Sequence, residues 1–324
     1  MKAANDLSLS IVIPTVGRSL HLYSTIQSVF AQLTRPSDLI FVWNGCQPPD
    51  WYQCAEEKAL DLGIPIKNIF ISTIVDISIS WRSGASASDS ELIYFLGDDD
   101  LINIDFLFNA KQNFLAHTGL DVLSVNASYI DASGRELGLQ AFDKRPAFKI
   151  NKPSLVDISS PWFNYPPPIF TTVFRRSVLQ GIDFFPYPGL AFDVWMFSQL
   201  SVAGGYQLLA CHEVKVSYRR SEVSASSNIF KHAIDYVQAL KLFEQRNIRK
   251  YDTHYTRRCA IEFAITAAAR SWKNPSRIFK LAMSAISALG MAYTVRFMIL
   301  RIAMRTEKIY KKLLCNRAHP LGSP

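Results

Sequence analysis

Nowhere in this chain do two cysteines stand at the short spacing of a zinc site or a redox pair. The five present (Cys46, Cys54, Cys211, Cys259, Cys315) are scattered and odd in number, which excludes a disulfide framework and a Cys-type zinc centre as expectations. His117, His212, His232 and His254 lack zinc-ligand spacing as well. Long hydrophobic runs are missing. The first apolar stretch, Leu9 to Pro14, follows Asp6 and is too short for the core of a signal peptide. The uncharged run Leu281 to Val295 falls short of the ~20 residues that span a bilayer. A cytoplasmic protein with reduced thiols is expected. There is no Gly-Lys-Ser/Thr phosphate loop, so ATP hydrolysis of that type is not expected. Gly84-Ala85-Ser86-Ala87-Ser88 lacks the second glycine of a nucleophile elbow. Asn126-Ala127-Ser128 matches a glycosylation acceptor, but it sits in a strand-like run of a chain with no export signal and reads as a chance match.

What is present describes a folded chain with a lopsided charge. Of its 324 residues 49% are hydrophobic and 19% charged, with a net charge of +8, as in globular proteins rather than disordered ones. From Ser227 onward 18 Lys and Arg stand against 5 Asp and Glu, whereas Met1 to Ser226 holds 17 against 22. A basic tail on an acidic front half points to a polyanionic surface. Within the tail, Arg277, Lys280, Ser284 and Ser287 fall on one helical stripe and Arg301, Arg305, Lys308 and Lys312 on another. Phe279, Met283, Ile286 and Leu289 lie opposite. A basic amphipathic helix of this kind suits an anionic membrane surface, and an ordinary solvated helical cap is the alternative. Nucleic acid is not expected as a partner, because the basic residues alternate with long aliphatics rather than with aromatics that stack on bases.

The richest local signal is Ile93-Tyr94-Phe95-Leu96-Gly97-Asp98-Asp99-Asp100, an apolar strand that ends in three carboxylates. Three acids on one strand end repel each other unless a cation sits among them. Hard divalent ions such as Mg²⁺ or Mn²⁺ take carboxylate oxygens and hold substrate phosphates. The competing reading is a turn in which Asp100 caps a helix. Around this run, strands (Ser8–Thr15, Leu39–Trp43, Asn68–Ser72) alternate with helical periods (Ser19–Gln32, with Leu20, Tyr23, Ile26, Val29 and Phe30 apolar, and Glu56–Leu62). Such alternation predicts a doubly wound α/β layer, whose ligand site lies at the carboxyl ends of the strands.

Further pieces follow in a fixed order. Strand one ends in Ile13-Pro14-Thr15 and strand two in Trp43-Asn44-Gly45-Cys46. A loop with Trp81-Arg82-Ser83-Gly84 precedes the acidic strand. The Pro-rich segment Pro161 to Pro168, the run Gly189-Leu190-Ala191-Phe192-Asp193-Val194-Trp195 and finally Tyr218-Arg219-Arg220-Ser221 come after it. This succession, over roughly Leu7 to Ser226, resembles family 2 glycosyltransferases of the GT-A fold, especially those of bacterial O-antigen and capsular polysaccharide assembly. The resemblance implies an α/β GT-A domain over 1–226, with a nucleotide-sugar-binding half (1–125) and an acceptor half (126–226), followed by a basic helical region over 227–324. It implies a nucleotide-sugar site at Pro14, Thr15, Arg18, Asn44, Arg82, Gly84, Asp98, Asp99, Arg219 and Arg220. Metal (Mg²⁺ or Mn²⁺) would be held by two of Asp98, Asp99 and Asp100. Asp193 would be the catalytic base, its alternative being a helix N-cap, and Trp162, Tyr165 and Trp195 would be acceptor walls. The chain departs from the family pattern at Asn44, Arg82, Gly97 and Ser221, where relatives carry an acid, Asn, Asp and His. The implied activity is metal-dependent, inverting transfer of a sugar to a lipid-linked glycan at the inner face of the cell membrane. A non-catalytic scaffold of the same fold and a basic-tail nucleic-acid binder are the rivals.

Overall fold

The computed structural model describes residues 7–141, 154–158, 167–184 and 191–220, with isolated positions at 234, 235, 238, 239 and 242. The Trp162 and Tyr165 acceptor assignments and the basic amphipathic helices fall outside these residues. In chain order the elements are β1 (Leu9–Thr15), α1 (Leu22–Phe30), β2 (Asp38–Asn44), α2 (Tyr52–Asp61), β3 (Ile66–Ile71), α3 (Ile77–Ser86), β4 (Leu92–Phe95) and β5 (Leu101–Ile102). Then come α4 (Phe106–Ala116), β6 (Val122–Ile130), β7 (Glu136–Gln140), β8 (Ser154–Asp157), β9 (Thr172–Arg175), α5 (Arg176–Gln180), α6 (Phe192–Ala203) and β10 (Gln207–Arg219).

One mixed sheet carries them in the order β3-β2-β1-β4-β9-β6-β10-β5, with β7 on β6 and β8 on β10. The first four strands are mutually parallel. Every residue of β1, β2 and β4 is buried, as strands inside a doubly wound layer must be, while β3 at the edge of the sheet is half-exposed. β9 then enters antiparallel between β4 and β6, and β10 runs parallel to β6.

Several local expectations are corrected by packing. In α1 the core-facing stripe is Leu22, Thr25, Ile26 and Val29, while Leu20 is 93% exposed and Tyr23 half exposed. The stripe is thus rotated from the one the sequence period suggests. Trp81 to Gly84 is not a loop but the middle of α3, capped at its start by the Asp76 side chain accepting from Ser78 N. A Cβ on Gly84 would meet Val12 Cγ1 at 2.2 Å; the glycine lets α3 lie directly on β1 and β2. Asp100 caps no helix, since Leu101–Ile102 pairs antiparallel with Ser217–Val216 of β10. Among the described residues no helix is long and apolar enough to cross a membrane.

Candidate active site at the carboxyl edge of the sheet

β1, β2 and β4 are parallel, so Thr15, Asn44 and the Asp98–Asp100 turn all emerge at one edge of the sheet. The acidic turn is held from three sides. Thr15 Oγ1 donates to Asp98 Oδ2 at 2.5 Å, Ser19 Oγ donates to the Asp98 carbonyl at 2.8 Å, and Thr25 Oγ1 donates to the Asp100 carbonyl at 2.8 Å. From the far end of the sheet, Arg219 closes it. Its backbone N–H donates to Asp100 Oδ1 at 2.9 Å and its Nε to the Asp99 carbonyl at 2.8 Å. Its Nη1 donates to the carbonyls of Asp131 and Ala132 at 3.0 and 3.2 Å.

Arg219 is 4% exposed. Its guanidinium is therefore a buried tie between the acidic turn and the 131–134 turn rather than a free grip for a diphosphate, and this corrects its assignment as a phosphate contact. Arg220 is exposed and stands 3.9 Å from the Tyr129 ring centroid.

The three carboxylates differ in what they can do. Asp100 is 2% exposed and turned inward. Its carboxylate fills the space a Cβ on residue 97 would take, 2.6 Å from that position, so glycine where relatives carry aspartate is a packing requirement of this turn. Asp98 and Asp99 are half-buried and remain reachable. Burial pushes the Asp98 carboxyl up to about 6, opposed by its Thr15 hydrogen bond. Burial likewise raises Asp99, with Arg219 and His21 pulling it back, and burial together with the Asp99 charge raises Asp100 well above the carboxylate range. Among the described residues no group of three or more His, Cys, Asp or Glu side chains is arranged to hold a metal ion. Of the three, Asp98 and Asp99 are the carboxylates a divalent cation could reach, and its charge would relieve their mutual repulsion.

Sequence reasoning missed His21, which sits at the start of α1 close enough to Asp99 and Arg219 to feel both charges. It also missed Cys46, whose Sγ lies 3.6 Å from the Thr15 carbonyl and whose thiol is raised by burial and by Asp98. Neither has a motif of its own. Only the turn of the chain after β1 and β2 brings them to this edge.

Other expected site residues are placed as follows. Arg18 is exposed beside Gly17 and Thr15. Asn44 is buried with its amide committed to both backbone groups of Val75, so it clamps the loop after β3 and offers no free edge to a base. Gly84 is the packing glycine of α3, not a phosphate contact. Arg82 does not join the acidic turn; it lines a separate cavity with α5. Trp195 is 1% exposed, its indole N–H donating to the Asp183 carbonyl at 2.9 Å. It is a core anchor, which corrects its assignment as an acceptor wall. Asp193 is half-buried in the first turn of α6. The Phe192 ring packs on Trp81 at 5.1 Å and Trp81 on Phe95 at 5.9 Å, which ties that turn to the end of β4.

A row of half-buried rings runs beside the turn: Phe170 stacks on Tyr218 at 4.1 Å, and Tyr218 meets Tyr129 edge to face at 5.7 Å.

A parallel half-sheet, an acidic turn at its carboxyl edge and a helix starting in Phe-Asp thus meet in one place. The model of glycosyl transferase family 2 matches residues 10–180. This chain belongs to glycosyl transferase family 2. As a glycosyltransferase of that family it shares the GT-A fold of solved relatives of low identity. The crystal structure of S. aureus TarS 1-349 in complex with UDP-GlcNAc aligns at TM-score 0.61 and 16% identity, over 88% of this chain and 80% of that one. The same fragment in complex with UDP aligns at 0.55 and 15%, over 83% and 74%. The longer TarS structure aligns at 0.55 and 17%, over 79% of this chain; the glycosyltransferase spans only 43% of that longer chain. A search of curated proteins finds no match.

Proposed function

We propose that this glycosyltransferase moves a sugar from a nucleoside-diphosphate sugar to a hydroxyl of a lipid-linked glycan, with inversion, in surface polysaccharide assembly. The observation that carries the reading is the Thr15–Asp98–Asp99 constellation at the carboxyl edge of the parallel strands, where such folds bind ligands. The UDP-GlcNAc and UDP complexes of TarS support a uridine nucleotide as the first donor to test. Asp98 and Asp99 would hold Mg²⁺ or Mn²⁺, which when bound supplies positive charge to the departing diphosphate.

The chain's own groups then do the following. Thr15 fixes the Asp98 carboxylate, and Arg219 fixes the backbone of the acidic turn. Pro14 and Arg18 border the nucleotide. Asp193 accepts the proton of the acceptor hydroxyl as its oxygen attacks the anomeric carbon. The bond from that carbon to the diphosphate oxygen breaks, and the electron pair leaves with the nucleoside diphosphate. The basic region over 227–324 keeps the enzyme at the inner face of the membrane, near a lipid-linked acceptor.

The deciding experiment is a binding and hydrolysis screen of UDP-, GDP- and dTDP-sugars with Mn²⁺ or Mg²⁺. One nucleotide should bind in a metal-dependent way, and Asp98→Asn/Asp99→Asn should abolish that binding. Well-folded protein that binds none of them would favour the non-catalytic scaffold.

A pH dependence follows from the raised carboxyls. For Asp98 the folded-state value of about 6 lies above its ordinary value near 4, so this group's contribution to metal-free stability is present below pH 4 and is lost as pH rises through 6. A cation needs the ionised form. Mn²⁺ should therefore raise the melting temperature at pH 7.5 and leave it almost unchanged at pH 5, as read by thermal melts with and without the ion. Equal shifts at both pH values would count against the assignment.

A further inference from the structure

The structure holds a second concave site that the glycosyl-transfer reading does not use. A cavity of about 470 Å³ lies between α3, the amino-terminal half of β4 and α5, within the ~300–1,000 Å³ range of small-molecule sites. Its lining includes none of Thr15, Asn44 or Asp98 to Asp100. Ser88 and Ile93 place it toward the opposite end of β4 from the acidic turn, and Arg176 N–H donates to the Glu91 carbonyl just before that strand begins.

Two guanidiniums enter this cavity, Arg82 from α3 and Arg176 from the first position of α5. Among the described residues neither has an ion-pair or side-chain hydrogen-bond partner. Guanidinium does not deprotonate in a protein, so two positive charges share one concavity with no anion among the described residues paired to either. Asp183 also lines it, its backbone carbonyl taken by Trp195 Nε1 and Gln199 Nε2. The rest of the wall is mixed, with Ser86, Ser88 and Gln180 beside the largely buried Leu179, Ile182 and Phe184. The planar fork of arginine matches phosphate oxygens two at a time.

We infer that this cavity is a binding site for a phosphate ester, with the oxyanion between Arg82 and Arg176 and the organic portion along Leu179, Ile182 and Phe184. The ester could be soluble or the headgroup of an anionic lipid; the chemistry of recognition is the same.

The test is calorimetric titration of phenyl phosphate and of inorganic phosphate into the full chain in EDTA, so that no metal gathers phosphate at the acidic turn. Phenyl phosphate should bind, and more tightly than inorganic phosphate. Arg176→Gln should weaken it about tenfold or more, Arg176→Lys should weaken it less, and Asp98→Asn/Asp99→Asn should leave it unchanged. Unaltered binding in Arg176→Gln would overturn the site. So would loss of binding in the aspartate variant, because the anion would then sit at the donor edge. Flotation with phosphatidylglycerol against phosphatidylcholine vesicles separates the two sources. Retention on the anionic vesicles that phenyl phosphate competes away and Arg176→Gln loses identifies a headgroup; a soluble ester is identified if phenyl phosphate binds and vesicle retention is indifferent to both. Because donor binding is not measured in these arms, failure here leaves the transfer reading standing, and failure of the donor screen leaves this site standing.

Discussion

Asp193→Asn should lower glycosyl transfer by about 10³-fold, within the 10²–10⁴ range that a positioned general base supplies, while nucleotide affinity stays within about twofold. The expectation rests on where α6 begins. Its first turn carries Asp193 half-buried, with Oδ1 accepting from the Val194 N–H at 2.8 Å. The partial positive charge of a helix N-terminus favours the ionised carboxylate, which is the form a proton acceptor needs. The Trp81 and Phe192 rings hold the turn against the end of β4. Asparagine keeps the size and an acceptor oxygen for Val194 but is almost without basicity. The substitution thus separates a base from a cap: a cap would survive it, since asparagine is as good a capping residue as aspartate. Initial rates with a fixed donor, set beside donor affinity measured separately, give the answer. Near wild-type turnover would remove Asp193 from the chemistry and leave it a structural role.

How much of this was legible beforehand differs by residue for physical reasons. The parallel half was plain, because β1 and β2 are continuous apolar runs closed by Pro14-Thr15 and Asn44-Gly45, and such runs report strands buried on both faces. The acidic run at the end of β4 was equally plain, being composition at a strand end. The uses of individual side chains were not. Arg219 and Arg220 are neighbours in sequence, yet alternation along β10 sends one into the core and the other to solvent, and a one-residue shift in register would exchange them. Gly84 was expected at the nucleotide-sugar site, but its value is the close packing on Val12, which a Cβ would meet at 2.2 Å. Trp195 was expected as an acceptor wall on a helix, whereas α6 turns its indole onto the Asp183 carbonyl. In each case the residue type was informative and its direction was decided by tertiary contacts that the local pattern does not contain.

That asymmetry is sharpest at Arg219, and replacing it by methionine should be the most damaging single change away from the reacting groups. Methionine retains an apolar stem of similar reach but leaves the carbonyls of Asp99, Asp131 and Ala132 without the donors they have now. Hydrogen bonds from a charged group contribute about 1.5–3 kcal/mol each, and not additively, so a loss of about 3 kcal/mol is expected. For a chain of this size that is a fall in melting temperature of roughly 4–5 °C. The functional loss should exceed the thermal one. Without the guanidinium, Asp99 loses a charge that now draws its carboxyl down, and the turn that aims Asp98 and Asp99 loses its tie to β10. Divalent affinity should drop about 10- to 100-fold, as when the support behind a metal ligand is removed. Arg220→Gln is the comparison, since it removes an exposed contact with the Tyr129 ring worth about 0.5–1 kcal/mol. It should leave metal binding intact. Calorimetric Mn²⁺ titration of both variants, at a temperature below their melts, distinguishes the outcomes. Equal Mn²⁺ affinity in the two would mean that the acidic turn holds its shape without Arg219, and that the buried arginine serves only the stability of the sheet.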